Sequence, residues 1–420
     1  MAGPARATRT QGTAPEVFAA FLKLGLTAFG GPVAHLGYFR DEFVTRRKWL
    51  SDRAYADLVA LCQFLPGPAS SQVGFALGLT RAGWAGAAAA FVAFTLPSAL
   101  LLLGFAIWAA WLDGPAGQGA LHGLKIAAVA IVAQAVWGMA RSLCPDRERA
   151  AIAVLAVALL AFLPGPPGMI AAIVAGGLAG LLLRRGQAPE GAATLPVPVS
   201  RPVGLAALSA FALLLFLLPL MAGGGHLLAL SDAFYRAGTL VFGGGHVVLP
   251  LLEAEVVRPG WVSADEFLAG YGAAQAVPGP LFTFAAYLGA MSEPVQPAPG
   301  MLSGMLGRAP VAAPAGLAGA AVALMAVFLP GFLLLIAALP FWDDFRRQPA
   351  AQSAMQGANA AVVGILGAAL YSPVFTSAVA GMPDFALALA CAVLLIAWGL
   401  PSWAVVIIAA IGGIGLRLLA

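Results

Sequence analysis

Residues 63–68 read QFLPGP and residues 275–280 read QAVPGP. A glycine triplet precedes each: FGGP at Phe29 to Pro32 and FGGG at Phe242 to Gly245. A shift of 212 residues carries Gln63 onto Gln275, Pro66, Gly67 and Pro68 onto Pro278, Gly279 and Pro280, and Trp49 onto Trp261. In an apolar chain, two copies of a helix interrupted by Gly and Pro point to a transporter that holds its substrate between duplicated halves.

The chain is apolar enough for that reading. Of its 420 residues 61% are hydrophobic and 10% charged, with mean hydropathy +0.92. A soluble domain carries about one quarter charged residues. Apolar stretches such as Trp84 to Leu112, Leu121 to Ala140, Val203 to Met221, Leu317 to Leu339 and Ala354 to Leu370 meet the ~17 residues a transmembrane helix needs. The ~10-residue alternating segments of a membrane barrel are absent. The expected fold is therefore all-α, a polytopic helical membrane protein with two inverted repeats and broken, re-entrant helices in each. The three cysteines and four histidines are scattered, so neither a disulfide framework nor a metal site is expected. No cofactor or nucleic-acid partner is called for either, because the basic residues sit in short loops and read as orientation signals.

After the Pro-rich insert Ser292 to Pro314 the register moves by about 21 residues, and Gly83-Trp84-Ala85-Gly86 then matches Gly316-Leu317-Ala318-Gly319. Further on, Gly123-Leu124-Lys125 falls on Gly357-Ala358-Asn359. The expected organisation is a flexible basic N-terminus at 1–14, a first repeat at 15–185, a linker with one extra transmembrane helix at 186–231, and a second repeat at 232–420. That single extra crossing turns the second copy over, and the charges agree. The loop holding Arg46, Arg47, Lys48 and Arg53 is basic, while its counterpart holds Glu253, Glu255, Asp265 and Glu266. Arg141, Arg147 and Arg149 face a counterpart, Ser372 to Asp384, without Lys or Arg; Arg346 and Arg347 lie opposite the turn Asp113 to Gln118, which has no basic residue. Corresponding loops thus fall on opposite sides by the positive-inside rule.

The breaks carry the candidate site. Asp52 to Leu65 and Pro68 to Thr80 are each about 20 Å of helix, too short to cross alone, so they are expected to form a re-entrant hairpin with Pro66-Gly67-Pro68 at its tip. Pro68 and Pro280 read as helix starts. The amides that follow, at Ala69, Ser70 and Ser71 and at Leu281, Phe282 and Thr283, are expected to lack partners at membrane depth. The breaks at Gly30, Gly31 and Pro32, and at Gly243, Gly244 and Gly245, leave amides free near Val33 to His35 and His246 to Val248. Each helix N-terminus is worth roughly half a positive charge and seats an oxyanion. Lys125 lies within an apolar run, where an ammonium costs roughly 2.5 to 3.5 kcal/mol. Two N-termini plus Lys125 balance a dianion, about +2 against −2; the alternative is that Lys125 snorkels to the nearby surface. His35 and His246 follow glycine breaks and are either anion donors or packed histidines. Gln63, Gln275, Ser70, Ser71, Gln72, Thr283 and Asn359 add uncharged hydrogen-bonding groups, which bundles also use between helices. Lys23 is read as a snorkelling residue.

From about Phe18 to the C-terminus the chain resembles the chromate ion transporter family in its long two-domain form. The resemblance rests on the FGG element before a basic Trp-containing loop, the PGP break after Gln, the GLK segment at 123–125, and their C-terminal echoes. It implies a bacterial inner-membrane protein that exports chromate, with sulfate as the structural analogue. It also implies motif residues Phe29, Gly30, Gly31, Pro66, Gly67, Pro68 and Lys125, echoed by Phe242, Gly243, Gly244, Pro278, Gly279, Pro280 and Asn359. The partners on this reading are chromate or sulfate, the lipid bilayer and, as an open question of assembly, a second copy in a homodimer. A sulfate or other oxyanion transporter and a passive anion channel fit the same breaks. A membrane enzyme does not, since HExxH, GxSxG and paired Asp motifs are missing. Membrane potential alone, or protons carried by His35, Asp57, Glu42, Glu255 or Glu266, would drive export.

Overall fold

The computed structural model describes residues 12–109, 114–183, 199–293, 315–342 and 348–419. The basic extreme N-terminus, most of the polar linker, most of the Pro-rich insert and the segment holding Arg346 and Arg347 lie outside the described residues. Among the described residues every regular element is a helix, and seven helices are long and apolar enough to cross a membrane. The protein is a multi-pass helical membrane protein.

The first helix, α1 (Ala14–Thr27), is capped by the Thr13 hydroxyl and stops at Ala28. Gly30 and Gly31 then take φ of +100° and +76°, a left-handed backbone that favours glycine, and the chain turns back. Its return is α2 (Gly31–Phe39) and a π-turn at Arg40–Arg46. Phe21 of α1 meets Phe39 edge-on at 5.5 Å and stacks on Phe43 at 4.7 Å, so the two segments run antiparallel. After Trp49, α3 (Asp52–Phe64) starts on a Ser51 cap and ends at the PGP break. The next helix, α4 (Ala69–Ala109), loses helical geometry at Ala82 and Gly83. Its short first segment ends beside the start of α1: Arg81 pairs with Glu16 at 3.0 Å and the Arg81 carbonyl accepts the Gly12 amide. Both ends of the PGP hairpin therefore lie near the Trp49 loop, where Arg47 and Arg81 stand over the indole. The long second segment of α4 leads to α5 (Pro115–Leu143) and the pair α6 (Arg147–Phe162) and α7 (Pro166–Leu183).

One helix, α8 (Arg201–Met221), precedes a second series in the same order. It comprises α9 (His226–Thr239), the glycine break, α10 (Val248–Leu252) with a π-turn at Glu253–Val257, and α11 (Ala264–Ala274) on a Ser263–Glu266 capping box. After the second PGP come a 3-10 turn at Leu281–Thr283, α12 (Phe284–Met291), α13 (Gly316–Ala338), α14 (Pro349–Ala369), α15 (Met382–Ile396) and α16 (Ser402–Leu419).

Glycine pairs let these helices touch backbone to backbone, as is common where lipid gives no hydrophobic drive. A Cβ on Gly78 would stand 2.3 Å from the Gly86 carbonyl oxygen, and one on Gly289 would stand 2.2 Å from that of Gly319. The α6–α7 hairpin packs on α14, with Gly176 and Gly180 against Gly357, and the α15–α16 hairpin packs on α5, with Gly413 against Gly123. Each series thus lends its last hairpin to the other. The starts of α6 and α14 and the end of α7 meet around Arg149, Gly180, Leu183 and Ser353. The start of α5 meets that of α15 through His122 and Asp384, 2.8 Å apart.

Gly78→Ala and Gly289→Ala should each lower the melting temperature of the detergent-solubilised protein, since overpacking costs about 1–3 kcal/mol. Gly104, with open space around its Cβ position, serves as the control, and Gly104→Ala should hold or raise it. Equal behaviour of all three would refute the close-contact account.

Candidate functional site

The four breaks converge, and each PGP is tied to the glycine break of the other series. The Gly67 amide donates to the Val241 carbonyl at 2.8 Å, and the Gly279 amide donates to the Ala28 carbonyl at 2.9 Å. Val241 and Ala28 occupy the same place, one residue before Phe242 and Phe29. Proline makes the second tie. Pro97 and Pro330 interrupt the hydrogen bonding of α4 and α13, and the residues after them, Ser98 and Gly331, receive the opposite PGP glycine. A Cβ on Gly67 would lie 2.9 Å from the Gly331 Cα, and one on Gly279 would lie 2.8 Å from the Ser98 Oγ. Gln72, fully buried, donates to the carbonyls of Pro66 at 3.0 Å and Gly331 at 2.8 Å.

The structure corrects part of the expectation from sequence. The glycine amides inside the PGP tips, which the sequence reading did not address, are capped by carbonyls. In the second series, 3-10 turns also consume amides expected to be free: Thr283 donates to Pro280, and Val247 to Gly244. Among the described residues no acceptor meets the amides of Ala69, Ser70 and Ser71 at the start of α4, or those of Leu281 and Phe282.

Side chains around the junction have spare capacity. Buried polar atoms without a partner include Ser71 Oγ, Gln72 Oε1, Thr95 Oγ1, Gln275 Nε2 and Asn359 Oδ1. Each belongs to a break or to a helix against one. Thr95 shares a turn with Ser98, and Asn359 Oδ1 lies 3.5 Å from the Cβ position of Gly243. Buried polar groups in proteins are almost always paired, so these atoms are unusual in being left with hydrogen-bonding capacity. Gly30 is exposed, and Gly31, Gly243 and Gly244 are half-buried, so the backbone at both glycine breaks stays accessible.

The two histidines differ. His35 is fully buried and engaged, with Nε2 donating to the Ala28 carbonyl at 3.2 Å and Nδ1 facing the Ser70 hydroxyl at 3.4 Å. His246 uses Nδ1 toward the Tyr271 hydroxyl at 2.9 Å. Its Nε2 lies 3.8 Å from the Cβ position of Gly31, across the junction, where Gly245 likewise meets Pro32.

The remaining candidates, Gln63, Pro278, Pro280 and Lys125, contribute no free polar group to the junction. Gln63 is exposed. Pro278 and Pro280 are buried and shape the tip. Lys125 turns its ammonium away, toward Asp265 at 2.8 Å, in a pocket of about 740 Å³ that also takes in His122, Glu266, Tyr287, Asp384 and Arg417. Asp265 is 71% exposed, so this is a weak, solvent-screened bridge. The backbone of Lys125 is closer to the junction: the Leu124 carbonyl packs on Gly272, one turn before Gln275.

Some residues escaped the sequence reading. Thr95 and Ser98 lie in an unbroken apolar run and carry no local signal. Lys23 does not merely snorkel; it donates to the buried Glu42 at 3.1 Å. The glycine-triplet shift of 213 residues carries Lys23 onto Arg236 and Glu42 onto Glu255, and these pair at 2.8 Å, so the repeat itself held that clue.

The family described as "Chromate transporter" matches at residues 15–181 and 228–415. A chromate transport protein of Pseudomonas aeruginosa is 30% identical over 365 residues, covering 84% of this chain and 79% of its own length. A probable chromate transport protein of Synechococcus elongatus is 26% identical over 420 residues, covering 94% and 93%. A chromate transport protein of Cupriavidus metallidurans is 27% identical over 377 residues, covering 83% and 80%. No solved structure matches the chain.

Gln72→Leu would strip the donor from two buried carbonyls, at about 1–3 kcal/mol for each unsatisfied group. It should markedly lower the melting temperature, whereas Asp265→Asn should move it little. A neutral Gln72→Leu would show that the α4–α13 tie is dispensable.

Proposed function

The chain belongs to the chromate transporter family, and from that premise we propose that it exports chromate across the bacterial inner membrane by alternating access, binding the dianion where the four breaks meet. The observation that carries this reading is the set of unpartnered buried polar atoms at the junction, beside the free amides that begin α4. A tetrahedral oxyanion offers many acceptor lone pairs and two negative charges. The Ala69 to Ser71 amides, the hydroxyls of Ser71 and Thr95 and the Gln275 amide supply donors, and the N-terminus of α4 supplies positive potential. With Tyr271 donating to Nδ1, His246 holds its hydrogen on Nε2 and adds a donor from the opposite series.

The two series are read as inverted repeats with re-entrant PGP hairpins. Support comes from the contacts at helix ends. The start of α14 meets the helices that follow α5, and the start of α5 meets α15, which follows α14; α5 and α14 thus run in opposite directions although they correspond in sequence. Lys125 has a role in the same reading. Its counterpart Asn359 lies against Gly243, so the pseudo-twofold operation aims a Lys125 side chain at Gly30. We assign it a swing between Asp265 at the pocket mouth and the anion at the junction.

An inside-negative potential favours outward movement of a dianion by about 4.6 kcal/mol per 100 mV, twice the ~2.3 kcal/mol of a single charge. Sulfate competes for the same donors, and competition in inverted vesicles separates the two substrates. A channel through the re-entrant segments is the second reading; saturable counterflow rules against it.

Expressing the chain should lower chromate accumulation in intact cells. Thr95→Val and Ser71→Ala should each depress export severalfold while keeping the melting temperature, because neither hydroxyl has a protein partner to lose. Lys125→Ala and Pro68→Ala should impair export with insertion intact, and Lys125→Arg should retain part of it. Undiminished export by Thr95→Val and Ser71→Ala would move the site elsewhere.

A further inference from the structure

The two pseudo-symmetric ion pairs differ in charge balance. Glu42, 4% exposed, accepts from Lys23, Arg46 and Arg47, so one carboxylate meets three cations. Arg236 alone serves two carboxylates, Glu255 at 2.8 Å and Asp232 at 3.1 Å, and these are 9% and 5% exposed. Asp232 Oδ1 is buried and has no partner.

Neighbouring elements do not redress the deficit. Among the described residues α10 and α13 carry no ionisable side chain, and α8 has only Arg201 at its far end. On the π-turn Glu253 pairs with Arg258 at 3.9 Å; on α11 Asp265 pairs with Lys125, and Glu266 with Ser263. Tyr235 gives its hydroxyl to the Phe211 carbonyl. One uncompensated negative charge is left on two buried carboxylates whose shared Arg236 is 42% exposed, a costly arrangement that a bound proton removes.

We propose that Asp232 and Glu255, bridged by Arg236, form the proton-binding site that couples oxyanion export to proton entry. The proposal rests on the transport reading above. The pair takes one proton from water on the face where α9 begins and releases it to the opposite face when the halves exchange access. Its linkage to transport is direct in the chain: two residues beyond α9 the Val241 carbonyl caps Gly67, and the π-turn holding Glu255 ends the helical segment that opens with the 3-10 turn Gly245–Val247. Protonating the cluster frees Arg236 from one carboxylate and loosens α9 against that segment, beside the anion junction. Glu42, with three cations, stays ionised throughout and acts as the fixed mate.

The test uses the full chain in proteoliposomes, with radiolabelled chromate and an internal pH dye. Counterflow is measured without a gradient, and net transport is measured with and without a proton gradient at zero potential. The wild type should show counterflow, faster net transport with the gradient, and proton movement linked to chromate. Glu255→Gln and Asp232→Asn should bring the with/without-gradient ratio to about one and abolish the linked proton signal while counterflow persists. If Glu255→Gln does not fold, Asp232→Asn, which likewise leaves one carboxylate against the one cation, carries the expectation alone. A wild type with counterflow but no gradient response overturns the coupling proposal alone, as does an unchanged ratio in both single variants. A wild type without oxyanion counterflow overturns the transport reading and this proposal with it.

Discussion

A helix broken inside a membrane must find partners for the backbone groups it frees, because lipid supplies none. Here the partners come from the other half of the molecule. Gly67 gives its amide to Val241, and Gly279 gives its own to Ala28, so neither PGP tip is satisfied within its own repeat. The glycines at Gly67 and Gly279, with φ of +117° and +101°, permit both the turn and the close approach to Gly331 and Ser98. The two breaks depend on each other, and the junction between the halves is their common product.

That dependence confines the remaining free donors. The carbonyl caps remove the amides at the two tips, and the 3-10 turns remove others from the second series. The start of α4 keeps its amides, and Ser71, Thr95 and Gln275 keep unpartnered polar atoms, while His246 faces Gly31 of the other series. The repeats agree in backbone and differ in chemistry. Lys125 stands where the second repeat has Asn359, and one carboxylate with three cations stands where the second has two carboxylates with one.

The legibility of the site followed residue type. Gly and Pro within apolar runs announce broken helices wherever they fold, and duplication told them apart from accident; the PGP and FGG elements were therefore visible. Lys125 was visible as a buried cation, but its bond to Asp265 joins residues 140 positions apart and has no local trace. His35 and His246 each follow a glycine break without being counterparts, since the triplet shift puts His35 on Val248. Packing separates them, since Ala28 and Ser70 enclose one and the other looks across the junction. Thr95 and Ser98 are ordinary small residues of an apolar helix, given importance only by the Gly279 backbone that lands on them.

By itself the sequence determined that the chain lives in a bilayer, that it is built twice, and where each copy breaks, because hydropathy, Gly and Pro act locally and the repeat is a comparison of the chain with itself. The tertiary structure alone decided which broken end meets which, that each PGP leans on the other half, which amides are capped and which stay free, and how many cations each buried carboxylate shares. Those outcomes depend on the distances between segments far apart along the chain, and helix packing sets such distances.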